Sequence, residues 1–163
     1  MSRWHSHYPI GTAFKSNTNI VNADFSIFPN ITTVNVVGCS SLVSLTLPKN
    51  QTSTGSGFFE GCTALKRVVF GEKFTSFGYA TFPGSGGQPS NCTLIFSNSL
   101  SNVDGNSLRG GSAIFVLHSD VGNYPGLKSS RMLSLYVPDE YYDNYLDYGI
   151  ASSKLHKISE WVE

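Results

Sequence analysis

Apolar residues recur in this chain as short pairs separated by one outward position, the signature of a brief strand with one buried face. The pairs are Ala23/Phe25, Leu45/Leu47, Val68/Phe70, Leu94/Phe96, Ile114/Val116 and Leu135/Val137. They follow one another at intervals of 22, 23, 26, 20 and 21 residues. The longest interval holds Pro83-Gly84-Ser85-Gly86-Gly87-Gln88-Pro89, whose composition marks an inserted loop. Between the strands a second apolar pair recurs at a spacing of five, Phe77/Phe82 and Val103/Leu108, with Phe59 filling its place one turn earlier.

Self-similarity is strongest where Gly38-Cys39-Ser40-Ser41-Leu42-Val43-Ser44-Leu45-Thr46-Leu47 is laid on Gly61-Cys62-Thr63-Ala64-Leu65-Lys66-Arg67-Val68-Val69-Phe70. One offset of 23 residues superposes the glycine, the cysteine and three apolar positions, then carries Gly55 onto Gly78 and Phe59 onto Phe82. A period of this length with one short strand per turn is the geometry of a leucine-rich-repeat solenoid. A single turn cannot bury its inward residues, whereas stacked turns share one core. A β-sandwich also has many short strands, but it does not require a fixed offset. Leu42-x-x-Leu45-x-Leu47-x-x-Asn50 fits the general repeat pattern, with Asn50 placed to hydrogen-bond turning backbone. The next copy has Lys73 at that place, so the asparagine ladder is incomplete.

The Gly-Cys-x-x-Leu phrase, followed by Phe77-Gly78-x-x-x-Phe82, resembles the BspA-type leucine-rich repeats. The stretch from Leu135-Tyr136-Val137-Pro138 to Lys157-Ile158-Ser159-Glu160 is similar to the segment that closes many such arrays. The resemblance covers about 20–163, although the Gly-Cys phrase is lost and the spacing becomes irregular after Phe82. It implies a surface protein or adhesin of bacteria, or a structural component of a bacteriophage.

The expected fold is β-rich α+β, a right-handed leucine-rich-repeat solenoid of about five to six coils with a C-terminal capping helix. Residues 1–19 lack the repeat and read as an N-terminal arm or cap, 20–137 as the solenoid, and 138–163 as the C-terminal cap. Pro138 starts a predicted helix over 138–148, with Asp139 and Glu140 favourable in its first turn. Tyr141, Tyr145 and Tyr148 fall on one side, and Gly149 suits the exit. Leu155, Ile158 and Trp161 are expected to complete the cover.

Composition narrows the function. Of 163 residues only 13% are charged, with Lys plus Arg (11) equal to Asp plus Glu (11). No basic excess exists for nucleic-acid binding by phosphate neutralisation. No run approaches the roughly 18 apolar residues of a membrane-spanning helix. The first nine residues contain no apolar stretch of the kind found in a secretory signal. Three sequons, at Asn30, Asn50 and Asn91, are expected by chance in a chain this rich in Asn and Thr.

No catalytic constellation stands out, and no cofactor or metal site is expected. His5 and His7 could supply two ligands, but a zinc site needs further donors. His118 and His156 are isolated. Cys39 and Cys62 occupy equivalent places one coil apart and read as small buried hydrophobes, and Cys92 has no activating neighbour. Gly84-Ser85-Gly86-Gly87 lacks the Lys-Ser/Thr ending of a phosphate loop. The middle residues of the strand phrase should instead line a concave face: Asp24, Thr46, Val69, Ile95, Phe115 and Tyr136. The last four make an exposed apolar stripe, flanked by Arg67 and Leu117, of the kind that marks a contact site. The expected function is a non-enzymatic recognition, adhesion or attachment scaffold whose partner is a protein or glycan on a cell surface, or a neighbouring virion or self subunit. Its expected location is extracellular, at a cell surface or on a virion. The alternative is a carbohydrate-binding module using Tyr136 and the cap tyrosines.

Overall fold

Residues 14–85 and 87–162 are described by the computed structural model of the chain. In chain order the strands are β1 (Asn22–Asp24), β2 (Ser44–Thr46), β3 (Arg67–Val69), β4 (Ser76–Phe77), β5 (Cys92–Ile95), β6 (Asn102–Val103), β7 (Ala113–Val116), β8 (Met132–Val137) and β9 (Leu155–Lys157). All but β4 and β6 form one parallel sheet in the order β1-β2-β3-β5-β7-β8-β9, so each winding of about six adds one rung. β4 and β6 pair on another side of the coil, extended by bridges from Ser53 to Ser76 and from Asn102 to Asn123. Asparagine amides run along that row, Asn123 donating to Asn102 Oδ1 at 3.0 Å and Asn102 to Ser76 Oγ at 3.2 Å.

Register fixes the interior. Ala23, Leu45, Val68, Leu94, Phe115, Leu135 and Leu155 lie side by side on successive strands. From Leu45 to Leu135 each is fully buried. Two residues further along each strand, Phe25, Leu47, Phe70, Phe96, Leu117 and Val137 form a second buried row. Aromatic rings fill the middle of the stack. Phe96 lies parallel to Phe70 at 4.2 Å and to Phe115 at 5.7 Å, and Phe77 meets both Phe96 and Phe115 edge-on. Phe59, Phe82 and Leu108 close the opposite wall.

Strand β7 corrects the expected phase. Phe115 and Leu117 are inward, and the pair Ile114/Val116 faces outward. Residues 113–117 are uninterruptedly apolar, so a period of two cannot say which member faces in. Packing decides: the Phe115 ring fits between Phe77 and Phe96, where a smaller side chain would leave a void. A bulge in the pairing of β7 with β8 then steps over Leu133, which stands 38% exposed.

Two further differences lie at the ends. Ser16, with φ of 59°, takes the left-handed turn that Gly38 (77°) and Gly61 (73°) take one and two coils later. Its N–H donates to Val37 O at 2.7 Å, and the Cys39 thiol donates to Phe14 O just as the Cys62 thiol donates to Val36 O. Residues 14–19 therefore follow the coil path; the rest of the 1–19 segment, with Trp4, His5, His7 and Tyr8, lies outside the described residues. At the other end, Pro138 precedes a 3-10 turn at Asp139–Tyr141 and then α1 (Tyr142–Asp147). Tyr145 is buried against Tyr124, its hydroxyl donating to Ser119 O at 2.9 Å, and Gly149 exits with φ of 97°. Leu155, expected to help complete the cover, forms a seventh rung beside Leu135.

The three cysteines are buried free thiols. Burial pushes Cys62 and Cys92 up to about 12 and also raises Cys39. The folded state thus holds them neutral, so their contribution is complete below the ordinary value of 9.0 and is lost as pH rises above it. Iodoacetamide at pH 8 should modify none of them in the native chain and all of them after denaturation; native labelling would contradict the burial.

Candidate functional site

Outward residues of the sheet form two parallel rows. One contains Asn22, Ser44, Arg67, Thr93, Ile114 and Ser134, and the other Asp24, Thr46, Val69, Ile95, Val116, Tyr136 and His156. Of the six residues expected to form the binding stripe, Arg67, Val69, Ile95 and Tyr136 stand on this face. Phe115 and Leu117 do not: both are core residues with no exposed surface. Val116 takes the place assigned to Phe115.

The stripe is divided into an open part and a covered part. Val69 and Ile95 line a shallow groove of about 360 Å³ with Phe70, Phe96, Ser97, Asn98 and His118. His118 is fixed at its rim by a 2.7 Å hydrogen bond between Nδ1 and Phe96 O. A carbonyl oxygen only accepts, so Nδ1 carries the proton. Ser97 Oγ donates to Gly71 O at 3.1 Å, tying the groove wall to the previous coil. The groove therefore offers an apolar floor with hydroxyl, amide and imidazole groups along one side.

The covered part begins at β7. Val116 faces outward yet is only 1% exposed, while Ile95 and Tyr136 on either side are half-buried. A segment of the chain itself crosses here. After β9, a 3-10 turn at Ile158–Glu160 carries Trp161 back over the sheet, where its ring meets the edge of Tyr136 at 4.8 Å. The other contact of Tyr136 is a stack on His156, also at 4.8 Å. Trp161 and Val162 then enclose a pocket of about 210 Å³ with Lys66, Arg67 and Thr93. From β8 to β3 is three strand steps, roughly 14 Å.

The turn is held by Asp139, whose carboxylate accepts from the Ser159 hydroxyl at 2.8 Å and from its N–H at 3.2 Å. The Ser159 hydroxyl, then its amide, hold the Asp139 carboxyl below the ordinary value of 3.8. This contact is therefore complete above that value and is lost only as pH falls beneath it. His156 Nδ1 lies 3.8 Å from Glu160 Oε2.

Sequence reasoning did not find Lys66, Thr93, Ser97, Asn98, His118, Trp161 or Val162 as members of this face. Thr93 was reachable, since it lies two residues before Ile95 on the same side of the strand. Trp161 was not, because 25 residues without a regular period separate it from Tyr136.

The cap tyrosines are committed to packing. Tyr145 is buried, the Lys128 ammonium sits 4.1 Å over the Tyr148 ring, and Lys157 sits 5.7 Å over Tyr142. Among the described residues, no group of three or more His, Cys, Asp or Glu side chains could hold a metal ion. No helix among them is long and apolar enough to cross a membrane.

A family model described as BspA type Leucine rich repeat region matches residues 10–88 in 6 copies. No curated protein and no solved structure matches the chain. The matched region takes in the coil that starts before Ser16, and the parallel ladder continues through β5 to β9 beyond it. The sequence phrase and the stacked rungs thus agree with the comparison: the chain carries a BspA-type leucine-rich repeat region over residues 10–88.

Proposed function

We propose that the chain is a non-enzymatic recognition scaffold that binds a protein partner across the open part of its outward sheet face, in adhesion or attachment at a cell surface or on a virion. The repeat family suggests a protein-interaction or adhesion scaffold. The observation that carries the reading is the groove floored by Val69 and Ile95 with Ser97, Asn98 and His118 at its side. These residues come from successive coils whose backbones are locked by in-register hydrogen bonds, so the surface is presented without the entropy cost of ordering a loop. An apolar floor with a few convergent polar groups favours an extended polypeptide over a charged polymer. The carbohydrate reading loses its main platform at Tyr136, whose ring is engaged by His156 and Trp161.

The Val69→Asp/Ile95→Asp double variant tests this on paired protein and oligosaccharide arrays. Saturable binding to a protein spot, reduced at least tenfold by the double variant while the circular dichroism spectrum is unchanged, is the expected result. Identical binding profiles for the two chains would overturn it. Saturable binding confined to the glycan spots would do so too and would restore the carbohydrate reading.

A further inference from the structure

We propose that the segment Ile158–Val162 is a displaceable strap, an internal ligand of the same face, and that it reveals the partner's chemistry. This rests on the reading above that the outward face is the binding surface. The strap occupies the face as an extended binding peptide would, with an aromatic ring against Tyr136 followed by an aliphatic residue beside Lys66, Arg67 and Thr93. The partner it stands in for is an extended segment that presents an aromatic residue followed by an aliphatic one.

Three observations separate this segment from an ordinary closing turn. It leaves the end of the solenoid and runs back from Tyr136 on β8 to Thr93 on β5 and Arg67 on β3, across the part of the face where outward Val116 is only 1% exposed. Its own residues are weakly committed: Ser159 and Glu160 are exposed, Ile158 and Trp161 are half-buried, and Val162 is 84% exposed. Its anchors are the surface carboxylate of Asp139, the ring contact with Tyr136 and the 3.8 Å approach of Glu160 to His156, the profile of a segment drawn from the low-stability end of a fold. Release would join the open groove to the covered part, giving one apolar row from Val69 through Ile95 and Val116 to Tyr136.

A tethered strap competes at an effective concentration on the order of millimolar, so a free peptide of the same sequence cannot enter until the tether is weakened. A fluorescein-labelled peptide of residues 157–163 should bind the full-length Trp161→Ala chain saturably and at least tenfold tighter than the unsubstituted chain. Asp139→Ala, which loosens the anchor and leaves the face intact, should give an intermediate gain. Adding Tyr136→Thr to Trp161→Ala should abolish binding, as should scrambling the peptide so that its Trp and Val are no longer adjacent. Equal binding to both chains, no binding to Trp161→Ala, or indifference to peptide order would each overturn the strap. Such a failure would leave the Val69/Ile95 groove standing, because the array measurement uses chains with the strap in place.

Discussion

Phe115→Asp should abolish the folded state, while Ile95→Asp, one coil away on the same sheet, should fold with a near-unchanged melting temperature. Phe115 has no exposed surface and contacts Phe77 and Phe96. Truncating a buried phenylalanine alone costs about 3–5 kcal/mol. Leaving a carboxylate without a partner in that interior adds several more, roughly the whole margin of a domain stable by about 5–15 kcal/mol. Ile95 faces the groove, where a carboxylate keeps its water. Circular dichroism and urea denaturation separate the outcomes. A folded Phe115→Asp chain would mean that Ile114 and Val116 are inward after all, and with it the whole outward row would be misassigned.

Phe96→Ala should cost about 3–5 kcal/mol and lower the melting temperature by roughly 10 °C. Its ring is stacked on Phe70 at 4.2 Å and lies within 6 Å of Phe74, Phe77 and Phe115, so its removal empties the junction of three coils. In a stacked repeat each coil is stabilised mainly by its neighbours. The denaturation curve should therefore broaden as well as shift, since the halves on either side of β5 lose their tightest contact. Phe28→Ala is the control: that ring is 47% exposed, and its loss should stay within about 0.5 kcal/mol. Equal destabilisation by the two changes would show that the aromatic stack does not hold the coils together.

Legibility of this fold in its sequence followed the alternation of apolar and polar residues. Where a polar residue separates the inward pair, as Thr46 separates Leu45 from Leu47, the rung was placed correctly. Where alternation vanished, at Ala113-Ile114-Phe115-Val116-Leu117, the strand was found and its phase was not. That one-residue slip put Phe115 and Leu117 on the binding surface and Val116 in the core. The coil around Ser16 was hidden for a related reason: Ser and Asn stand at places where later coils have Gly and Cys, and Ser16 nevertheless accepts a positive φ. Pro138 and Gly149 bounded the C-terminal helix because their backbone constraints are local and need no partner.

The candidate site was legible by half. Arg67, Val69, Ile95 and Tyr136 follow from strand periodicity once the solenoid is accepted. The division of the face does not, because it depends on where an irregular segment travels after its last strand. Nothing local in Ser159-Glu160-Trp161 says that it turns back over the sheet; the Asp139 carboxylate, 20 residues earlier, steers it. His118 is similar. As an isolated histidine it carried no signal, and its place at the groove follows from a bond to the backbone of the preceding coil.

The parallel ladder also determines how this chain would respond to mechanical load. Its hydrogen bonds lie along the stacking axis, so a pull between the two ends would strain one row at a time and would not shear all rows together. Detaching a single winding of 20 to 26 residues would release roughly 70 Å of slack. The molecule would yield in steps and spread a sudden tug over a long extension, behaving as a damper more than as a rigid rod.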